Sequence, residues 1–256
     1  MRPITKLKRL KLGIIDVVSK EKEIKDASTV VLLREVETEE KNIFEIFMTK
    51  RRKDLPFLGG FHVFPGGAMD AEDFDSESLE RCIGVTEKEA QEILQDPDPK
   101  KNLGHFVTAI RELYEETGVL VAYDVSKKFP NFKDDKTKEK FKRHREMIND
   151  GKMMMKDMME KEDLYYAVDE LIYFYHRVAP KIAPVRFNAR FFIVKIPEGQ
   201  TPTPYENEIE KSEWLTPEQI LTKSKARKML MAPPTILSLR ILAKSNSYAD
   251  LLKRLK

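Results

Sequence analysis

The chain has 256 residues, 41% of them apolar, enough to bury one large core or two small ones. Charged residues make up 35% while the net charge is only +3, so the surface is salt-rich with both signs mixed. A single cysteine, Cys82, excludes an intramolecular disulfide, four scattered histidines offer no zinc-type ligand set, and no apolar run is long enough to cross a bilayer.

Residues 1–12 carry Arg2, Lys6, Lys8, Arg9 and Lys11 with no acid, and 223–256 hold nine basic residues against one acid, Asp250. Solvated surface is the plainer reading. The other is a positive rim that draws in a polyanionic ligand. No aromatic–basic motif of an RNA-binding module is visible, so nucleic acid is not an expected partner.

Residues 28–35 and 43–50 read as two strands joined by an acidic turn, and 61–64 as a short strand stopped by Pro65-Gly66-Gly67. Residues 73–104 are acidic, helical in places, and end in a loop signal. Residues 105–117 form a strong amphipathic helix closed by Gly118, and 119–123 read as another strand. The highly charged stretch 126–176, with its cluster of methionines at 153–155 and 158–159, reads as a helical insertion. The methionines are expected in its core rather than in a pliable lid. Ala189 to Ile196 is a clear strand, and Glu213-Trp214-Leu215 a short one. Thr216-Pro217-Glu218 then starts a helix, and a last helix follows Pro233-Pro234. Interleaved strands and helices argue an α/β fold.

The chemistry concentrates in Arg111-Glu112-Leu113-Tyr114-Glu115-Glu116-Thr117-Gly118-Val119. At about 100° per residue, Glu112, Glu115 and Glu116 share one narrow arc, while Val107, Ile110 and Tyr114 face the opposite way. Three carboxylates so placed repel one another by roughly 0.2–0.5 kcal/mol per pair. A hard divalent cation offsets that repulsion, because Mg²⁺ prefers carboxylate oxygens and keeps waters for a phosphate substrate. Arg111, one turn before Glu115, can hold that carboxylate. An isolated glutamate-rich helix face is usually just solvated. Here Phe64-Pro65-Gly66-Gly67 precedes it, and the glycine pair permits a tight loop whose carbonyls can approach a metal.

This combination resembles the Nudix box, G-x5-E-x7-R-E-U-x-E-E-x-G-U with U aliphatic. Its second half matches from Arg111 to Val119, and its first half through Gly67, with Asp73 in place of the first glutamate. Thirty-seven residues separate Asp73 from Arg111, where the common pattern has seven. That insertion is similar to the one in a subgroup of coenzyme A diphosphatases. The resemblance extends from about Thr29 to Leu242 and implies a Nudix-type α/β/α sandwich with a mixed sheet. The expected organisation is a single domain over 1–256, with helical insertions at about 74–104 and 126–176. The resemblance also implies a hydrolase of phosphoanhydride bonds with Mg²⁺, or Mn²⁺, as cofactor. Glu112, Glu115 and Glu116 would be metal ligands, Gly66 would contribute its carbonyl, and Arg111 would orient the acids.

The basic segment Lys50-Arg51-Arg52-Lys53, then Phe57 to Gly67, is similar to the approach to the box in coenzyme A-cleaving Nudix enzymes. Clustered arginines suit the extra 3′-phosphate of that ligand, which makes Arg51, Arg52 and Phe64 the candidate substrate contacts. Residues 184–192 and Ala232 to Thr235 also resemble the long-insertion subgroup. The expected substrate is coenzyme A or acyl-coenzyme A, cut to 3′,5′-ADP and (acyl-)phosphopantetheine. ADP-ribose, nucleotide sugars and dinucleoside polyphosphates are the alternatives within the family. A non-catalytic ligand- or RNA-binding module and an RNA-decapping enzyme rank below them. For the base, the loop from Ile196 to Trp214 offers Glu208 first and Glu206 second, with Glu115 in reserve. The expected partner is thus a small nucleotide diphosphate in a reducing, cytoplasmic setting. No membrane is expected, and no secretory leader or peroxisomal address is read. The sequence leaves the oligomeric state open.

Overall fold

The computed structural model describes residues 23–39, 42–183 and 185–255, so the basic stretch 1–12 lies outside the described residues. The first strands are β1 (Ile24–Glu37), β2 (Asn42–Arg51), β3 (His62–Val63) and β4 (Gly66–Ala68). Then come α1 (Ser76–Leu79), β5 (Cys82–Ile83), α2 (Glu87–Leu94) and the long α3 (Pro99–Thr117). After β6 (Ala122–Tyr123), α4 (Asp135–Asn149), α5 (Met155–Lys161) and β7 (Tyr165–Ala167), the chain enters β8 (Ile172–Val178), β9 (Arg186–Lys195) and β10 (Ile209–Leu215). It continues through α6 (Pro217–Lys225), α7 (Pro233–Leu242) and α8 (Tyr248–Leu255).

The main sheet runs β10-β2-β1-β9-β8, with β3 beside β2 and β4 beside β1. The β1–β9 pair is parallel and the others antiparallel, so the sheet is mixed. In β1, Val30 and Leu32 face one side and Val31 and Leu33 the other; β9 divides Phe192 and Val194 from Phe191 and Ile193 in the same way. One face packs on Phe106, Val107, Ile110 and Leu113 of α3. The other packs on Ile220, Leu239, Leu242 and Leu251 of α6, α7 and α8. Helices on both faces of one sheet make the α/β/α sandwich. Each fully buried side chain of this size contributes about 1.5–3 kcal/mol.

Three boundaries differ from the sequence reading. The acidic helix begins at Pro99, not residue 105. Asp98 caps it by accepting from the Lys100 amide, and Pro99 occupies the first turn, where a missing amide costs nothing. The apparent loop signal is therefore a helix start, and Gly104 inside it lets Phe74 pack close, a Cβ there lying 2.7 Å from the Phe74 side chain. The strand expected at 119–123 shrinks to Ala122–Tyr123 and pairs with β7 in a separate three-stranded sheet, β5-β7-β6, away from the main one. The stretch 126–176 is not helical to its end, since from Ile172 it is already β8, an edge strand of the main sheet. The helices of that stretch do pack inward: Phe141, Ile148, Met155, Met158 and Met159 are buried in the same core as Val30, Leu32 and Phe192. Met154 alone of the cluster is exposed, at 50%.

Candidate active site

α3 carries the acids to the sheet edge where β4 lies on β1. Gly66 pairs with Thr29, and a Cβ on Gly66 would stand 2.4 Å from the Ser28 carbonyl oxygen, at a φ of +152° that side chains rarely adopt. A Cβ on Gly67 would fall 2.5 Å from Glu112 Oε1. Gly66 is thus needed for β4 to lie against β1, and a side chain at Gly67 would displace the Glu112 carboxylate. They open onto a cavity of about 630 Å³, lined at one end by Gly66, Gly67, Glu112, Glu116, Arg51 and Glu208, with Phe64 beside them.

Arg111 organises the cluster. Its guanidinium is almost fully buried and donates through Nε and Nη2 to Asp73, both at 2.8 Å, through Nη1 to Glu112 at 2.9 Å, and through Nη2 to the Ala68 carbonyl at 2.9 Å. Glu115 lies farther off, at 3.4 Å. Arg111 therefore holds Glu112 more closely than the Glu115 read from the i,i+4 spacing. Asp73, 1% exposed, also accepts from Thr108 Oγ1 and from the Asp70 amide, each at 2.9 Å. Its part is to fix Arg111 across the insertion.

The carboxylates are held in an environment that disfavours their charge. Burial, then the neighbouring Glu115 and Asp73, raises Glu112 to about 7 against the pull of Arg111. Burial, then Glu112 and Glu208, pushes Glu116 well above the carboxylate range, and burial raises Glu115 as well. Glu72 is likewise raised to about 7 by burial and by Asp73. Glu116 Oε2 is buried without a hydrogen-bond partner. An orphaned carboxylate oxygen among desolvated like charges, beside a glycine cradle, fits a hard divalent cation. A second cluster, Asp26, Asp96 and His105, does not. Lys101 already pairs with Asp26 at 2.8 Å and Arg190 with Asp96 at 3.2 Å, so both carboxylates are neutralised by neighbouring cations; His105 stays neutral, its pKa pushed down to about 3 by burial.

These shifts set a pH test. An acid raised in the fold binds its proton there while the unfolded chain, at its ordinary value near 4.5, has lost it; stability therefore falls as pH rises from about 4.5 through 7. His105 acts with the opposite sign, so the clean readout is the Mg²⁺-induced change in Tm. That gain should be larger at pH 8 than at pH 5.5, by ~3 °C or more. An equal gain at both pH values would remove Mg²⁺ from this cluster.

The C-terminal end of α3 is capped by two distant segments. Gly118 donates to the Tyr114 carbonyl, Arg145 Nε and Asn149 Nδ2 of α4 donate to that of Glu115, Tyr205 N to that of Glu116, and Thr203 N to that of Thr117. Arg145 also donates through Nη1 to the Thr203 carbonyl at 2.7 Å. The inserted helix and the loop that carries Glu208 are thereby tied to the acidic helix.

The two loop acids part company. Glu208 lines the cavity, 3.5 Å from Arg51, and repels Glu116. Glu206 lines a separate groove between α4 and the 199–207 loop. The two arginines divide as well. Arg51 lines the cavity, whereas Arg52 turns outward to Asp54, with which it makes two exposed hydrogen bonds at 3.0 and 2.9 Å. Arg52 is thus not a cavity residue: it lies just past the end of β2, where the chain turns and its guanidinium pairs with Asp54. Beyond the sequence reading, the cavity is also lined by Phe57, Arg177, Ala179, Pro180, Val185 and Phe187.

Residues 24–242 match the family model of the NUDT19 Nudix domain. The acyl-coenzyme A diphosphatase NUDT19 of Xenopus laevis is 23% identical over an alignment covering 75% of this chain and 57% of that protein, so the chain spans little more than half of that relative. A Nudix hydrolase structure from Alicyclobacillus acidocaldarius superposes with a TM-score of 0.71 at 23% identity, covering 91% of this chain and 96% of the other, a likeness of fold. With Gly67, Glu112 and Glu116 of the box lining the cavity and the family match spanning most of the described residues, the chain belongs to the Nudix hydrolase family.

Proposed function

We propose that the chain hydrolyses the diphosphate linkage of coenzyme A or acyl-coenzyme A, giving 3′,5′-ADP and (acyl-)phosphopantetheine. One observation carries this reading: the buried acids and the glycine pair close one end of a cavity whose remaining walls are largely apolar. Such a cavity suits a diphosphate with a bulky organic substituent. The name of the Xenopus laevis relative points to the same substrate class.

Glu112, Glu115 and Glu116, with the Gly66 carbonyl, would hold Mg²⁺ or Mn²⁺. When bound, the cation supplies Lewis-acid stabilisation of charge on the phosphate oxygens. Arg111 keeps Glu112 in place through its 2.9 Å bond. Arg51 offers a positive charge to a substrate phosphate. A water oxygen bonds to one phosphorus, the bridging P–O bond breaks, and its electron pair leaves with the departing phosphate monoester. Glu208 takes the proton from that water. It faces the cavity with a side chain 42% exposed, open to solvent and within reach of the acids.

Glu208→Gln should lower kcat by roughly 10²-fold with little change in KM, while Glu206→Gln, facing the other groove, should stay within a few-fold of wild type. Steady-state kinetics at saturating Mg²⁺ decide it; if neither variant loses kcat, the base lies elsewhere, with Glu115 the next choice.

The substrate class is tested by kcat/KM across a panel of coenzyme A, acyl-coenzyme A, ADP-ribose, nucleotide sugars and dinucleoside polyphosphates, with products identified by mass. Coenzyme A esters should lead. ADP-ribose cut far better than coenzyme A would overturn the reading.

A further inference from the structure

The cavity has a second charged end. Register across the sheet places Arg177 of β8 opposite Ala189 of β9, Ala189 beside Ala27 of β1, and Ala27 opposite Ala68 of β4. Arg177, Ala189 and Ala27 all line the cavity. The next row on that face, Tyr175, Phe191, Thr29 and Gly66, runs parallel to it. Two of the positions between the arginine and the glycine pair are thus alanines, and their short side chains leave the sheet as an open apolar floor. Phe57 and Phe187, in edge contact at 5.7 Å, rise beside it with Pro180. Three strand spacings separate Arg177 from Ala68, about 14 Å between backbones.

The two cavity-lining arginines differ in what they already hold. Arg51 is matched by Glu208 at 3.5 Å. Arg177 is exposed, and its guanidinium makes no hydrogen bond or ion pair with any of the described residues. A guanidinium at the rim of an apolar trough, facing an acidic centre across it, is placed to receive an anion that hangs from the same ligand.

We propose that Arg177 forms an anion subsite at the end of the cavity away from the glutamates, taking a second phosphate carried on the sugar of the nucleotide half of the substrate. The ring portion of the nucleotide lies over the alanine floor between the two charged ends. This rests on the coenzyme A reading for its natural ligand, and the test separates the two.

Binding of 3′,5′-ADP and of 5′-AMP is measured by calorimetry on wild type, Arg177→Gln and Arg177→Lys, which needs no turnover. Wild type should bind 3′,5′-ADP at least ~10-fold more tightly than 5′-AMP, as expected for one added charge-assisted contact. Arg177→Gln should erase that preference and leave 5′-AMP unchanged, and Arg177→Lys should restore part of it. Equal wild-type affinity for the two nucleotides, or an equal loss of both in Arg177→Gln, would overturn the subsite. Hydrolysis of coenzyme A and of its 3′-dephospho form is measured alongside. The subsite predicts that Arg177→Gln raises KM for coenzyme A alone; a KM raised alike for both forms would count against it. If wild type cuts neither while still binding 3′,5′-ADP selectively, the coenzyme A reading fails and the subsite stands.

Discussion

Glu115→Gln and Glu116→Gln should each lower kcat by roughly 10²–10³-fold or more while leaving the fold intact. Each carboxylate sits where burial raises its pKa, and Glu116 leaves one oxygen without a partner. A group held at such a disadvantage adds nothing to the metal-free fold, so its amide should not lower Tm in the absence of Mg²⁺; removing a like charge beside Glu112 should even raise it slightly. If Glu115 and Glu116 hold the cation as proposed, the same substitution should also weaken the Mg²⁺-induced gain in Tm. Kinetics and thermal unfolding on the same preparations read both effects. Near wild-type turnover in either variant, or a collapse of the metal-free fold, would contradict the assignment.

Arg111→Met should cost about 3–5 kcal/mol of stability. The buried guanidinium makes two 2.8 Å bonds to Asp73, which is 1% exposed, and one at 2.9 Å to Glu112. Its loss strands a carboxylate that has no route to water. Asp73→Asn in the same background should recover part of the loss, because the stranded charge goes while Thr108 Oγ1 and the Asp70 amide keep a partner. Urea unfolding of the two single variants and the double variant closes this cycle. A loss below about 1 kcal/mol in Arg111→Met would mean that the pair does not hold the site together.

The legible parts of the molecule were those coded by local periodicity. Three glutamates within five residues of one helix needed only the 100° turn to be seen as one face. The split of β1 and β9 between two cores follows from period-2 alternation. The illegible parts depend on pairing between distant segments. Asp73 stands 38 residues before Arg111, and only the fold brings them together. Arg51 and Arg52 look equivalent in the chain, yet Arg51, the last residue of β2, lines the cavity while Arg52, just beyond the strand, pairs with Asp54. Glu206 and Glu208 face different hollows because Tyr205 is pinned to the Glu116 carbonyl and the chain turns there into β10. Arg177 carried no signal at all, since its setting is made by Ala189 of β9 and Ala27 of β1. The start of α3 was hidden by Pro99, a residue that opens a helix as readily as it interrupts one.

The charged tail shows the same limit. Residues 223–256 are basic in composition, but Leu239, Leu242 and Leu251 anchor their helices in the second core, and Pro233, Pro234 and Thr235 line the cavity. The segment is thus a wall of the site as well as a charged surface.

The central claim is that the buried glutamate cluster performs metal-dependent cleavage of a diphosphate. Turnover of coenzyme A followed by mass spectrometry, with Mg²⁺ present and after its removal by a chelator, tests it most directly. With Mg²⁺ the products should be 3′,5′-ADP and phosphopantetheine, with loss of turnover on chelation and recovery when Mg²⁺ or Mn²⁺ is restored. Cleavage that persists unchanged without a divalent cation, or that breaks a bond other than the diphosphate, would contradict it.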